Sequence, residues 1–303
     1  MVYSNFLSPI DDYSDLAFRL LCQKYGAVAG CVPLVNSTAI ARDRSKVHMV
    51  DAHIDEQNIG VQVIGNEPTD ISKSCQAIVE EKPFVKWLNI NCGCPSVRTM
   101  NSGGGSAMLA FPDKIASSVS LIKKFSPVPI SVKIRIKNNS KDTISICKAL
   151  ETAGVDFLIL HGRTAGAGYS GRADWNLIKE VKEAISVPLV GNGDIQSVEQ
   201  GNEYVKNGFC DSFMIARSAM SNPAVFSRNG SKASSKERLS MFCEYFSIYE
   251  KYFSAKPQLR EAKLKAVNFV NGIPNAASIR KSLCLAKSTE ELVSIVDQCR
   301  EIV

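Results

Sequence analysis

Eight short β-rich runs, each followed by a stretch of helical character, organise most of this 303-residue chain. The runs cover residues 3–9, 27–34, 59–65, 87–92, 129–136, 155–161, 187–192 and 212–216. Such alternation is typical of βα units whose strands form a parallel sheet. Continuous apolar runs such as VDFLIL suit strands that are covered on both faces. Eight units predict an α/β fold closed into a (β/α)8, or TIM, barrel.

The alternative to a closed barrel is an open, doubly wound sheet. In that fold a glycine-rich G-x-G-x-x-G turn normally follows the first strand. In this chain the segment Ser8-Pro9-Ile10-Asp11 follows it instead. The glycine triplet at residues 103–105 comes after the fourth strand, so we interpret it as a flexible active-site loop. The barrel is the favoured prediction.

The chain changes character near its C-terminus. After the polar segment SRNGSKASS, apolar residues recur at helical spacing, as in Leu239, Phe242, Phe246 and Tyr249. We predict a boundary near residues 226–236, with a barrel over residues 1–230 and an all-helical domain over residues 231–303.

Positive charge is concentrated in the predicted helical domain. Residues 228–303 hold 13 Lys and Arg against 8 Asp and Glu, which accounts for five of the six net positive charges. A basic module on a near-neutral domain is a typical footprint for nucleic-acid binding. A solvated helical surface would give the same charge pattern, so charge alone leaves both interpretations open.

Composition bears on compartment and metal content. No apolar run approaches the roughly 20 residues that span a bilayer, and the first residues lack the pattern of a signal peptide, so we expect a cytoplasmic protein with no membrane association. The ten cysteines lack the paired spacing of zinc ribbons. Cys92 and Cys94 could supply two ligands, but no further Cys or His lies nearby. We expect no metal.

Polar residues at the predicted strand ends are the candidates for chemistry, because a barrel builds its active site at the carboxyl ends of its strands. They are Gln62, Asn91, Cys94, Lys133, Arg135, His161, Arg163, Asn192, Asp194 and Arg217. The inward lysine of ISVKIRI needs a polar or anionic partner, which a bound ligand would supply.

The last two strand ends predict a phosphate site. Asn192-Gly193-Asp194 ends the seventh strand and Ala216-Arg217 ends the eighth, where many barrels bind phosphate through backbone N–H groups. Either segment alone could be a tight turn with a surface cation. Their occurrence together favours the phosphate site.

Five ordered segments resemble the tRNA-dihydrouridine synthase family. The most specific is LNINCGCPSVRTMNSGGGSAML at residues 88–109, which matches an N-x-G-C-P core followed by a glycine-rich loop. The others are SPIDDYSDLAFR, VQVIG, HGRTAGAGYSGRADW, and VGNGDI followed by MIARSAMSNPAVF. The match spans about residues 8–226, with a weaker echo in NGIPNAASIRKSL.

The resemblance implies FMN across the carboxyl ends of the strands, which we call the barrel mouth. The flavin ring would meet the ends of the first and third strands, at Pro9, Ile10, Asp11 and Gln62. Lys133 and His161 would hold the flavin near its reactive edge and its ribityl chain. The FMN phosphate would be held by two loops, which contain Asn192, Gly193, Asp194, Ala216 and Arg217.

The resemblance also implies reduction of the uracil C5=C6 bond, with Cys94 in the position of the proton donor. A hydride at C6 can come from reduced flavin, and a proton at C5 needs a positioned acid. Thiols are suited to this role because their ordinary pKa of about 8.5 keeps them protonated at neutral pH. NADPH or NADH would be the reductant. A buried structural cysteine is the alternative interpretation of Cys94.

The implied partner is tRNA, bound by a monomer. Near the mouth, Asn91, Arg135 and Arg163 are the expected substrate contacts. In the helical domain we expect two groups of cations to pair with RNA phosphates. The first group is clustered along one helix and contains Lys256, Arg260, Lys263 and Lys265. The second group begins the next basic segment and contains Arg280 and Lys281.

Some positions depart from the family pattern. Ile10 stands where Met is usual, Ala216 stands where Gly is usual, and the loop AGAGYSG lacks a bulkier polar or basic residue. Apart from these departures, two other functions stay open: an FMN barrel that reduces a free small molecule of the dihydroorotate or enoate type, and a non-catalytic RNA-binding protein.

Overall fold

The computed structural model describes residues 3–253 and 259–302. Lys256, one of the predicted RNA-binding cations, lies outside these residues. Each of the eight predicted β-rich runs contains a strand. The strands are β1 Asn5–Leu7, β2 Gly30–Asn36, β3 Ile59–Ile64, β4 Trp87–Cys92, β5 Ile130–Arg135, β6 Phe157–His161, β7 Leu189–Asn192 and β8 Ser212–Ile215.

The strands form one parallel sheet in the order β1-β8-β7-β6-β5-β4-β3-β2. The two ends of this order meet, because Phe6 of β1 forms a parallel bridge with Ala29, just before β2. The backbone N–H of Leu7 donates to the carbonyl of Ala29 at 2.8 Å. The sheet therefore closes, and the predicted (β/α)8 barrel is confirmed over the open doubly wound sheet.

Helices connect successive strands on the outside of the barrel, and a further short helix follows β8. They are α1 Leu16–Lys24, α2 Ser37–Arg42, α3 Pro68–Glu81, α4 Val97–Asn101, α5 Pro112–Lys123, α6 Ser140–Thr152, α7 Trp175–Ala184, α8 Val198–Lys206 and α9 Arg217–Ser221. Most begin at a side-chain cap, as Asp15 does for α1 by accepting from the N–H of Phe18. Such caps satisfy N–H groups that have no partner inside the helix.

The amino-terminal end of the barrel is filled by aromatic rings. Phe6, Trp87 and Phe157 lie with ring centroids 5.5–5.9 Å apart, and all three are buried. Above them the interior becomes polar, with Gln62, Asn89 and Ser131. The barrel is thus closed by apolar packing at one end, and its polar side chains lie toward the mouth.

Four further helices follow the barrel: α10 Ser235–Phe253, α11 Leu259–Phe269, α12 Ala276–Leu285 and α13 Thr289–Ile302. The predicted helical stripe is buried, since Leu239, Phe242 and Tyr249 are each at most 1% exposed. Helix α10 packs on α1, where Lys24 pairs with Glu244 at 2.8 Å. The helical part is therefore docked against the first βα unit. Within the residues that the structure describes, no helix has the length and apolarity needed to cross a membrane.

Candidate active site

The loop after β4 holds Cys94 in a defined position. The Oδ1 atom of Asn91 accepts hydrogen bonds from the backbone N–H groups of Gly93 at 3.1 Å and of Cys94 at 2.9 Å. The thiol of Cys94 is half-buried, and its Sγ lies 3.6 Å from the hydroxyl of Thr99. One thiol is thus held at the edge of the mouth by a side chain of the strand that precedes it.

Cys92 lies in a different environment from Cys94. Cys92 is fully buried in the hydrophobic core between the strands and the surrounding helices. Burial raises the pKa of its thiol well above the usual range. No group of three or more His, Cys, Asp or Glu that could hold a metal ion occurs in the described part of the chain.

The glycine triplet packs against Cys94. The N–H and the hydroxyl of Ser106 both donate to the carbonyl of Cys94 at 3.0 Å. Gly105 has φ +59°, and a Cβ there would lie 2.6 Å from that carbonyl oxygen, so a side chain would collide with it. Within the segment predicted to be a flexible loop, Gly105 begins a short 3-10 helix, Gly105–Ala110, and supports the cysteine.

A chain of buried side-chain hydrogen bonds, here called the relay, runs down the barrel from Asn91. Nδ2 of Asn91 donates to Gln62 at 2.8 Å, and Nε2 of Gln62 donates to Asn89 at 2.7 Å. Asn89 then donates to Ser131 at 2.7 Å, whose hydroxyl donates to the carbonyl of Leu88 at 3.1 Å. Because every donor points the same way, the relay fixes the Asn91 amide with its oxygen toward Cys94.

Sequence reasoning missed Asn89 and Ser131. Both are buried inward positions on strands whose next inward residues, Asn91 and Lys133, were candidates. The signal was present as polar residues at alternate positions of β4 and β5. Polar residues deeper in the strands do not by themselves indicate a functional site, because hydrogen-bonded Asn and Ser also occur in cores.

Lys133 and Asn192 meet across the mouth. The Nζ of Lys133 donates to the Oδ1 of Asn192 at 3.1 Å, and Asn192 donates to the carbonyl of Met214 at 2.9 Å. Burial lowers the pKa of Lys133 to about 8, with a smaller contribution from the positive charge of Arg135. The ammonium is thus a cation whose charge an anionic ligand would stabilise.

His161 ends β6 beside Gly193. Burial lowers the pKa of His161 to about 2, and Lys133 adds the largest charge repulsion, so the imidazole is neutral at pH 7. Gly193 has φ +129°, and a Cβ there would lie 2.6 Å from the Cβ of Ala173 and 3.1 Å from His161. Only glycine allows the chain to pass this close to His161.

Arg135 was predicted to contact substrate, and in the structure its guanidinium binds loop carbonyls. Its guanidinium is 3% exposed and donates to the carbonyls of Gly93 at 2.8 Å, Thr164 at 3.0 Å and Gly168 at 2.8 Å. Arg135 therefore ties the Cys94 loop to the loop after β6. The exposed ring of Tyr169 lies over this junction, 5.9 Å from the guanidinium carbon of Arg135.

Arg163 was also predicted to contact substrate, but it is 4% exposed. Its Nη2 lies 2.7 Å from both carboxylate oxygens of Asp194 and 2.6 Å from the carbonyl of Gly171. Arg163 thus holds the loop after β6 against the loop after β7. Its Nη1 is buried and has no hydrogen-bond partner among the described residues.

Asp194 is shared by two arginines. Arg217 donates to its Oδ1 at 2.8 Å, and the N–H of Ala173 donates to its Oδ2 at 2.8 Å. Burial acts to raise the pKa of Asp194, but the Ala173 N–H and Arg163 outweigh it, so the pKa is lowered. Asp194 has φ +57°. The two loops predicted to hold phosphate are thus joined through one carboxylate.

A cavity of about 550 Å³ lies where β6, β7 and β8 end, and we call it the β6–β8 cavity. It is lined by all five residues predicted to bind phosphate, together with the exposed Tyr169. Its lining includes His161, Tyr169, Asn192, Gly193, Asp194, Ala216 and Arg217.

A second cavity, of about 1090 Å³, lies between the first βα loops and α11, and we call it the interdomain cavity. Barrel residues on one wall include Ile10, Asp11 and Leu34, and the opposite wall includes Arg260 and Lys263. Pro9 immediately precedes this wall and is half-buried. Ile10 and Asp11, which follow the carboxyl end of β1, therefore lie where the barrel mouth meets the helical domain.

The predicted RNA-binding lysines of α11 differ in exposure. Lys263 is half-exposed, and its Nζ donates to the carbonyl of Cys284 at 2.8 Å. Lys265 is 1% exposed and pairs with Asp15 at 2.7 Å. Its role as a phosphate contact is therefore wrong, because its ammonium has no access to RNA. Arg280 is half-exposed and donates to Asn271 at 2.9 Å.

Solved structures share the barrel. Histamine dehydrogenase from Rhizobium sp. 4-9 superposes with a TM-score of 0.58 at 11% identity, over 81% of this chain and 49% of that one. A 2-naphthoyl-CoA reductase superposes with a TM-score of 0.54 at 12% identity, over 74% of this chain and 49% of that one. This chain spans about half the length of those proteins, and the likeness concerns the fold.

Relatives are similar over nearly their whole length. A probable tRNA-dihydrouridine synthase from Aquifex aeolicus is 30% identical over 97% of this chain and 95% of its own length. The tRNA-dihydrouridine synthase B of Pasteurella multocida is 27% identical over 96% and 91% respectively. The family model for dihydrouridine synthase matches residues 6–301. The predicted resemblance is confirmed, and the chain belongs to the dihydrouridine synthase family.

Proposed function

We propose that this protein reduces the C5=C6 bond of a uridine in tRNA, with FMN as cofactor and Cys94 as the proton donor to C5. The observation that carries the proposal is the position of Cys94. Its thiol is half-buried at the barrel mouth, on a loop that Asn91 fixes through two N–H groups. That loop is tied by Arg135 to the loop of the β6–β8 cavity.

The residues at the mouth fit FMN. The β6–β8 cavity, with Gly193 and Arg217 in its lining, would hold the phosphate. Lys133 would hold the ring near its reactive edge, where a cation offsets negative charge, and neutral His161 would face the ribityl chain. Gln62, Pro9, Ile10 and Asp11 would contact the ring from the other side. When bound and reduced, the flavin supplies the hydride that C6 of the uracil receives.

Each protein group then has a defined task. Cys94 holds a proton on Sγ and delivers it to C5, while the hydroxyl of Thr99, 3.6 Å from that sulfur, helps to orient the thiol. Asn91 keeps one Nδ2 hydrogen bonded to Gln62, which leaves the second for the uracil. Lys133 stabilises negative charge on the reduced flavin ring. A proton donor acting in the transition state contributes about 100- to 10,000-fold in rate.

The interdomain cavity supports tRNA as the substrate. A target base must leave its stack to reach the mouth, and that costs a few kcal/mol. Contacts between RNA phosphates and the helical domain would offset this cost, and Arg260 and Lys263 line the cavity on that side. We propose NADPH as the reductant, sharing the mouth, and a monomer acting in the cytoplasm, since all the residues invoked belong to one chain.

The test measures dihydrouridine in tRNA. Purified protein with FMN and NADPH should form dihydrouridine in unmodified tRNA transcripts, detected by mass spectrometry of nucleosides. Free uracil, orotate and a simple enoate should leave NADPH consumption at its background rate. Reduction of orotate or the enoate without turnover of tRNA would replace the proposal with a small-molecule reductase. Binding of tRNA without flavin or turnover would replace it with an RNA-binding protein.

A further inference from the structure

One lysine of the helical domain is buried against the barrel. Lys265 of α11 is 1% exposed, and its Nζ lies 2.7 Å from the Oδ2 of Asp15 and 3.4 Å from the carbonyl oxygen of Asp12. The ammonium also lies over two rings, 5.0 Å from the centroid of Tyr13 and 6.0 Å from that of Tyr245. A charge from α11 is thus enclosed by residues of the loop between β1 and α1.

Asp15 links both parts of the molecule. Its Oδ1 accepts from the N–H of Phe18 at 2.8 Å, which caps α1. Its Oδ2 accepts from the hydroxyl of Tyr245 on α10 at 3.0 Å, in addition to Lys265. Removing two charges from water carries a large desolvation cost, and apolar residues of similar volume often replace such pairs without loss of stability. The pair alone is therefore weak evidence for a role in stabilising the packing of the domains, and what matters further is what else its partners hold in place.

The loop that Lys265 holds also carries predicted flavin contacts. Residues 10–15 form one compact turn. The carbonyl of Ile10 accepts from the N–H groups of Tyr13 at 3.1 Å and Ser14 at 3.0 Å, and the hydroxyl of Ser14 accepts from the N–H of Ile10 at 2.9 Å. Asp12, at the centre of the turn, has φ +56°. A displacement at Asp12 or Asp15 would therefore move Ile10, since the turn is internally bonded.

We infer that Lys265 is a positioning residue for the flavin site, which it serves from the helical domain. Its ammonium fixes the outer side of the turn at Asp12 and Asp15. The inner side then presents Pro9, Ile10 and Asp11 to the barrel mouth in one position. This inference rests on the proposed function, because it assumes that FMN occupies the mouth. It adds that the helical domain helps to build the cofactor site.

The experiment compares FMN binding by full-length variants. FMN is titrated into apoprotein, and the dissociation constant and the visible absorption spectrum of the bound flavin are recorded. Lys265→Met should raise the dissociation constant at least tenfold and shift the flavin band, because the ring environment changes. Lys265→Arg keeps the charge and should recover most of the affinity. The matched control is Lys236→Met, an exposed lysine of α10, which should bind FMN as the wild type does.

Folding is separated from positioning by a second variant. Lys265→Met leaves the half-buried Asp15 without its cation, so we pair it with Asp15→Asn, which retains an oxygen for the α1 cap. This double variant should fold with a cooperative thermal transition and still show weakened FMN binding with a shifted spectrum. A folded double variant with the wild-type dissociation constant and spectrum would overturn the inference. If the wild type itself fails to bind FMN, the proposed function fails first.

Discussion

The Oδ1 atom of Asn91 accepts the backbone N–H of Cys94 at 2.9 Å, and its Nδ2 donates to Gln62 at 2.8 Å. One amide therefore connects the predicted acid to a predicted flavin contact. Because the relay below it fixes which end of the amide faces Cys94, the position of the cysteine depends on residues deep in the barrel. The active-site loop is set by the interior of the barrel as well as by its own sequence.

Cys94→Ala should slow dihydrouridine formation by roughly 100-fold or more, a typical loss for a general acid, and should leave FMN bound and reducible by NADPH. The rate is measured in single-turnover reactions of the prereduced enzyme with tRNA. Cys92→Ala is the matched control, since that thiol is buried in the core and should affect stability more than rate. If the Cys92 variant loses turnover and the Cys94 variant keeps it, the acid is assigned to the wrong thiol.

Asn91→Ala should slow dihydrouridine formation about tenfold or more with Cys94 still present. Two N–H groups, of Gly93 and Cys94, lose their acceptor. An unsatisfied buried group costs about 1–3 kcal/mol of folded-state free energy, which the loop can avoid by moving Cys94 out of position. Each 1.36 kcal/mol that this displacement adds to the barrier is tenfold in rate. Asn207→Ala, at an exposed position, is the control. An unchanged rate in the Asn91 variant would remove this residue from the support of Cys94.

FMN should bind more weakly as pH rises through about 8, because burial lowers the pKa of Lys133 to about 8 and loss of its proton removes a cation from the site. Lys133→Met should bind FMN weakly at every pH and abolish this step. Titrations between pH 6.5 and 9.5 test the expectation, and a step that persists in the variant would assign it to another group.

The same lowered pKa has the opposite consequence for the apoprotein. The unfolded lysine keeps its proton to about pH 10.4, so between pH 8 and that value the unfolded state binds more protons than the folded state. The contribution of Lys133 to the free energy of unfolding should therefore increase with pH across this window. Urea unfolding of wild type and Lys133→Met without FMN measures the difference.

Arg217→Ala should raise the dissociation constant for FMN by about 10- to 100-fold, since a charge-assisted hydrogen bond is worth about 1.5–3 kcal/mol and 1.4 kcal/mol is tenfold in affinity. Arg217 lines the β6–β8 cavity and is 49% exposed on its side chain, so the variant should fold normally. Arg228→Ala, at an exposed position, is the control. Wild-type FMN affinity in the Arg217 variant would place the phosphate elsewhere.

The strands were predictable because each is a short apolar run between turn signals. The position of the barrel mouth then followed from the carboxyl ends of those strands. What the sequence could not supply was the direction of long polar side chains. Arg135 and Lys133 alternate on the same strand, yet one binds loop carbonyls and the other faces Asn192. Both were predicted at the mouth, and only a structure shows which of the two binds loop carbonyls and which faces Asn192.

Lys265 shows the same limit for helices. Helical periodicity places Lys265 on nearly the opposite side of α11 from Lys263, but it gives no information on what covers that side. The covering residues, Tyr13 and Asp15, lie about 250 positions away in the chain. Arg19, which is fully buried against Glu56 at 2.6 Å, was likewise unpredicted because its partner comes from a distant loop.

The corrected position of Lys265 changes the test of RNA binding. A phosphate contact needs an accessible cation, and on α11 Arg260 is exposed and Lys263 is half-exposed. We therefore expect Arg260→Glu with Lys263→Glu to weaken tRNA binding while leaving the FMN content unchanged. Lys236→Glu with Lys251→Glu, two exposed lysines of α10, makes the same change in net charge and is the matched control.

Salt dependence separates phosphate contacts from a general loss of positive charge. Each contact that releases a counterion contributes about 0.7–0.9 to the slope of log affinity against log salt. The α11 double variant should therefore flatten that slope by about 1.4–1.8 when tRNA binding is titrated from 50 to 300 mM KCl, whereas the control should flatten it much less. Equal slopes in both double variants would mean that α11 does not contact phosphates. The RNA surface would then lie around the barrel mouth, where Arg98 and Arg172 are exposed, because the base must still reach Cys94.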